Sequence, residues 1–97
     1  MAKELEYVVV RCDRSSPFAG YLVSRKGAEV VLKDARRIYY WAGAASLSGL
    51  AVHGTSKPNE CKFPAAVPEI LLLDACEIMT ATPEAKASIE AVPEWKA

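Results

Sequence analysis

Apolar positions along the chain come in short runs separated by turn-forming residues. Residues 5–12 hold Tyr7 and the β-branched run Val8-Val9-Val10, which predicts a central strand because both of its faces are apolar. Asp13-Arg14-Ser15-Ser16-Pro17 ends that strand as a loop. Residues 18–24 and 29–33 predict two further strands joined by Arg25-Lys26-Gly27-Ala28, where Gly27 supplies the positive φ of a tight hairpin. A second turn at Asp34-Ala35 and a strand over 36–41 complete an expected meander of four antiparallel strands across residues 5–42.

Gly43-Ala44-Ala45 then lets the backbone turn closely. Ser46 is a natural N-cap for a helix over 46–53, in which Leu47, Leu50 and Ala51 fall at i, i+3 and i+4. Gly54 closes it, with His53 in the last turn where positive charge suits the dipole. Gly49 inside so short a helix costs about 1 kcal/mol relative to alanine, which predicts that something approaches its backbone closely. Residues 55–64 read as a polar loop. Strand character resumes over 67–79, limited at its start by Pro68 and bulged or broken at Asp74-Ala75. Thr82-Pro83-Glu84 starts a helix that runs to about residue 92, and Pro93 ends it. Trp95 is expected to dock onto the body or another subunit. The expected fold is α+β: a mainly antiparallel β-sheet of five or six strands, one short central helix and a C-terminal helix.

A chain of 97 residues divides its apolar side chains among no more than one core, so residues 1–97 form one domain. The hydrophobic fraction of 52% is slightly rich for a small monomer and points to a homodimer. Twelve Lys and Arg balance twelve Asp and Glu, which argues against a general nucleic-acid or membrane-surface binder. The balance hides an asymmetry: residues 1–62 carry ten basic against six acidic side chains, and residues 63–97 carry two against six. An anionic partner should therefore meet the first part. The start is too short in apolar residues and too acidic for a signal segment, and no run approaches the roughly 20 apolar residues of a membrane span, so a cytoplasmic location is expected. Cys12, Cys61 and Cys76, an odd number at unrelated spacings, read as reduced thiols.

Candidate chemistry concentrates around 36–48. Strand alternation places Arg36, Ile38 and Tyr40 on one face and Arg37, Tyr39 and Trp41 on the other, with Ile38 marking the core side. Arg36, Arg37, Tyr39, Trp41, Ser46 and Ser48 together suit a nucleotide-like anion. Aromatic faces stack a base, guanidinium forks take phosphate oxygens, and a serine-capped helix start offers free N–H groups. The same residue types are those enriched at subunit interfaces, so both readings stay open. The cysteines and His53 have no metal-ligand spacing, no carboxylate pair stands out, and the glycines fit no phosphate loop. No catalytic residue, metal or cofactor is expected, and the chain reads as a binding protein rather than an enzyme.

Ala35-Arg36-Arg37-Ile38-Tyr39-Tyr40-Trp41-Ala42-Gly43-Ala44-Ala45-Ser46-Leu47-Ser48-Gly49-Leu50-Ala51-Val52-His53-Gly54, with Cys61-Lys62-Phe63, Glu69-Ile70-Leu71-Leu72 and Ala75-Cys76-Glu77-Ile78, resembles a family of short uncharacterised proteins of tailed phages and prophages. The resemblance implies a host-takeover or anti-defence setting in the host cytoplasm. One class of such proteins sequesters nucleotide immune signals such as cyclic ADP-ribose isomers or cyclic oligonucleotides. The expectation is non-enzymatic sequestration of a small phosphorylated nucleotide-like ligand. The alternatives are a protein-interaction module that inhibits a host factor, or a small accessory structural protein. Single-stranded nucleic-acid binding fits worst with zero net charge.

Overall fold

A strand with no polar position from residue 7 to residue 10 has to be covered on both sides. In the computed structural model, which describes residues 5–96, β1 (Glu6–Cys12) is flanked by β2 (Phe18–Lys26) and by β5 (Ala75–Thr80). With β3 (Glu29–Arg37) and β4 (Val67–Leu72) these strands form one antiparallel five-stranded sheet in the order β4-β3-β2-β1-β5. Two helices, α1 (Leu47–His53) and α2 (Pro83–Ala91), complete an α+β fold.

Alternation along β1 divides the core in two. Tyr7 and Val9 face the helices and pack with Ala19, Ile38, Leu50 and Ile89. Val8 and Val10 face the other way and pack with Phe18, Val30, Leu32 and Leu72. Among the described residues no helix contributes to this second cluster, which is built from side chains of all five strands. The edge strands β4 and β5 are joined by only Leu73 and Asp74. Ala75 N–H donates to the Ala28 carbonyl of the β2–β3 turn at 3.1 Å, and Asp13 N–H to the Asp74 carbonyl at 2.9 Å.

Local signals explain the element ends. Gly27 takes φ 59° in the β2–β3 hairpin. The Ser46 hydroxyl accepts from Gly49 N–H at 3.0 Å to cap α1, and the Thr82 hydroxyl accepts from Ala85 N–H at 3.0 Å to cap α2, which has Pro83 in its first turn. Gly54 closes α1 at φ 76°.

The expected turn at Asp34-Ala35 and the fourth meander strand over 36–41 are corrected. β3 runs through Asp34, which takes φ 52° and so creates a bulge, tolerated because a short polar side chain visits the left-handed region at small cost. The register steps from Ala19↔Arg36 to Tyr21↔Lys33 across this point. Gly20 lies opposite, where a Cβ would stand 3.1 Å from both Ala35 Cα and the Lys33 carbonyl, so the bulge is seated on a residue without a side chain. The strand ends at Arg37. Tyr39 and Tyr40 N–H both donate to the Lys62 carbonyl, at 3.1 and 3.3 Å, and Lys62 N–H returns to the Tyr40 carbonyl at 2.7 Å. A single bridge thus replaces the expected strand. Gly49 is a second correction: a Cβ there would meet only the Ser46 Oγ at 3.4 Å, so nothing crowds its backbone. The close approach occurs at Gly43, at φ 78°, where a Cβ would sit 2.6 Å from Lys57 N and 2.8 Å from Ser56 N.

Candidate functional site

Ordinary alternation at the end of β3 sends the consecutive Arg36 and Arg37 to opposite faces of the sheet. Arg36 turns toward the helices and is buried, at 8% exposure. Its guanidinium donates to three main-chain carbonyls: Val92 at 2.7 Å, Phe63 at 2.8 Å and Ile89 at 3.1 Å. Two of these close the C-terminal end of α2, where a cation also complements the helix dipole. Burial draws this guanidinium below its ordinary value, and the neighbouring Tyr7 and Glu94 act in the opposite sense. Arg36 is therefore a structural pin between β3, the Phe63 segment and α2. Its burial and the three carbonyls that its terminal nitrogens serve remove it from the expected phosphate-binding set.

Arg37 points the other way, with its guanidinium 4.5 Å from the centre of the Phe18 ring. Ser46 is occupied as the α1 cap, and Ser48 is exposed, its hydroxyl 3.7 Å from Met79 Sδ. Trp41, expected on the open face, packs against the helix-side core, and Tyr40, expected on the core face, is outside. The six residues predicted as one ligand site are thus not brought together around one opening.

What the fold does assemble is a surface platform. Tyr39 is 60% exposed and stacks on Trp95, which is 37% exposed, with centroids 5.5 Å apart and planes 16° from parallel. Tyr40, 52% exposed, stands next to it. The Lys62 ammonium lies 5.5 Å from the Trp95 ring and 5.9 Å from the Tyr40 ring. Backbone bonds set these positions: the Tyr40–Lys62 bridge brings the lysine beside the tyrosines, and Trp95 N–H donates to the Phe63 carbonyl at 2.9 Å.

Of the predicted site, the platform keeps only Tyr39. Tyr40, Lys62 and Trp95 were outside it, although Lys62 lies in the resembling Cys61-Lys62-Phe63 and Trp95 was expected to dock. Such an array of ring faces and an ammonium suits stacking and anion contacts, or the surface of another protein. It holds no nucleophile paired with a base. Cys61 is buried, its thiol within 3.6 Å of the Ala42 and Lys57 carbonyls and the Thr55 hydroxyl. Among the described residues no three His, Cys, Asp or Glu side chains are placed to hold a metal ion, and no helix is long and apolar enough to cross a membrane.

No curated protein and no solved structure matches the chain. A family model described as a domain of unknown function, DUF6948, matches residues 5–89, a span that takes in every strand, α1 and most of α2, and the chain belongs to that family.

Proposed function

We propose that the protein is a non-enzymatic binding module that engages another protein through Tyr39, Tyr40, Lys62 and Trp95. The observation that carries this reading is the exposure of three large rings, two of them stacked, around one ammonium. Tyrosine and tryptophan supply large, stiff contact area at low entropic cost and dominate binding hot spots. The platform's tyrosines are more than half exposed and Trp95 more than a third, so it is an open surface. Small ligands are held where most of their surface is enclosed, which favours a protein partner over a free nucleotide here. The phage setting implied by the central motif supplies a natural partner class, a host factor to be inhibited. The test is affinity capture from host lysate followed by size-exclusion chromatography of the reconstituted pair. Wild-type protein should hold one partner in a defined ratio, and Tyr39→Ala with Trp95→Ala should release it while the fold persists. If the double variant retains the partner, the platform is not the working surface.

The reading expected from the sequence, sequestration of a phosphorylated nucleotide-like ligand, has one specific support: Lys62 sits beside exposed ring faces, so a base could stack on a ring while its phosphate meets the ammonium. Native mass spectrometry against a panel including cyclic ADP-ribose isomers and cyclic dinucleotides separates the two. Retention of a nucleotide that Trp95→Ala abolishes would favour sequestration, and an empty spectrum across the panel would end it.

A further inference from the structure

We infer that the groove between the β1–β2 loop and β4 is a site for a small molecule carrying a carboxylate or phosphate on an apolar body, with Arg37 as the partner of the oxyanion. The groove has a volume of about 620 Å³, within the ordinary range for small-molecule sites. Asp13 and Arg14 line it from the loop, Phe18 and Arg37 from the sheet, and Leu71 and Leu73 from the edge strand and the turn after it. None of the platform residues takes part, so the inference stands independently of the reading above.

Three observations define the occupant. First, Arg37 is half-buried and its guanidinium stacks on Phe18 at 4.5 Å, yet no carboxylate or carbonyl among the described residues accepts from it. Its neighbour Arg36, with the same side chain, satisfies three carbonyls. Stacking fixes the plane of a guanidinium and leaves its edge donors directed outward, the arrangement that takes a carboxylate or phosphate in a forked contact. Second, Leu71 and Leu73 are among the most exposed aliphatic side chains of the molecule, and both line this groove. An apolar body laid against them removes that surface from water. Third, the loop end carries the carboxylates of Asp13 and Asp74 against the one guanidinium of Arg14 and so is acidic on balance. Asp74 Oδ2 already accepts from Arg14 N–H at 2.6 Å, and Asp13 stands beside it. These carboxylates repel an anion from their end and attract an N–H donor, so the oxyanion belongs at the Arg37 end.

The test uses the full chain labelled with nitrogen-15 and three probes: phenyl phosphate, 3-phenylpropionate and the neutral 3-phenylpropanol. At least one anionic probe should shift the amide signals of Phe18, Arg37, Leu72 and Leu73 and the Arg37 Nε–H signal in a saturable way. The neutral probe should bind about tenfold more weakly or less, and Arg37→Gln should weaken the anion about tenfold. A response to phenyl phosphate alone identifies a phosphate site and a response to 3-phenylpropionate alone a carboxylate site. The inference is overturned if neither anion moves these signals, if the alcohol binds as well as the anions, or if Arg37→Gln binds like wild type. Should Arg37→Gln fail to fold, Leu73→Asp, which places a like charge on the exposed wall, decides in its place: it should weaken the anions comparably, and unchanged binding overturns the inference.

Discussion

Replacing Arg36 with alanine removes one side chain that holds three parts of the chain together. The cost is worked from what each of its three acceptors keeps. The Ile89 carbonyl still accepts from Val92 N–H at 3.2 Å, and the Phe63 carbonyl still accepts from Trp95 N–H at 2.9 Å. The Val92 carbonyl, 2.7 Å from the guanidinium, has no other donor among the described residues and is left unsatisfied, at a cost of about 1–3 kcal/mol. The buried aliphatic stem, whose guanidinium end lies 5.4 Å from the centre of the Phe63 ring, leaves a cavity worth about another 1–2 kcal/mol. Relief of the guanidinium's own desolvation takes part of this back. The expected loss is about 3 kcal/mol, or roughly 12–24 °C in Tm for a domain of this size. Arg36→Met, which keeps the stem, should lose about half as much. Urea unfolding followed by tryptophan fluorescence measures both, with the slope confirming a two-state transition. If both variants stay within about 0.5 kcal/mol of wild type, Arg36 is not the pin described here.

Tyr7 is buried, its hydroxyl has no partner among the described residues, and burial, reinforced by the Glu90 carboxylate, holds this phenol above its ordinary value of 10.0. Burial likewise raises the Cys12 thiol above its ordinary 9.0. As pH rises past these ordinary values the unfolded chain ionises first, so stability is complete below about pH 9 and declines above it. Tyr7→Phe should be neutral or stabilising by up to about 1 kcal/mol at pH 7 and should lessen the alkaline decline, in thermal melts from pH 7 to 11; a clear loss at pH 7 contradicts this account. Two glycine substitutions should have opposite signs in the same assay. Gly43→Ala should cost about 2–4 kcal/mol, because the left-handed backbone and the amides of Ser56 and Lys57 exclude a Cβ, whereas Gly49→Ala should stabilise by up to about 1 kcal/mol. Equal effects would refute the distinction.

Where a few neighbouring residues decide the local structure, the sequence was sufficient. The Val8-Val9-Val10 run marks a strand buried on both faces, Gly27 a hairpin, Ser46 and Thr82 the helix starts, and Gly54 a helix end. The bulge at Asp34 was not legible in this way, because it needs the bare backbone of Gly20, a partner fixed only by strand pairing. Alternation placed Arg36 beside Ile38 and Arg37 on the opposite face, as found; it failed past Arg37, where the strand ends, so that Trp41 packs inward and Tyr40 stands outside. Gly49 misled for a related reason: its cost to the helix was read as a sign of close packing, while the crowded glycine was Gly43. The platform also depends on distant pairings. Nothing near Tyr39 announces that Trp95 will stack on it, since that contact is set through Phe63.

The stacked pair of Tyr39 and Trp95 makes the exposed surface depend on an intact chain beyond α2. Its rings come from distant parts of the chain, and the second follows directly on α2, whose C-terminal end Arg36 holds. A product clipped just beyond α2 would display two solitary tyrosines in place of a paired surface. If the platform is the binding surface proposed above, recognition there requires the segment after α2 to be in place.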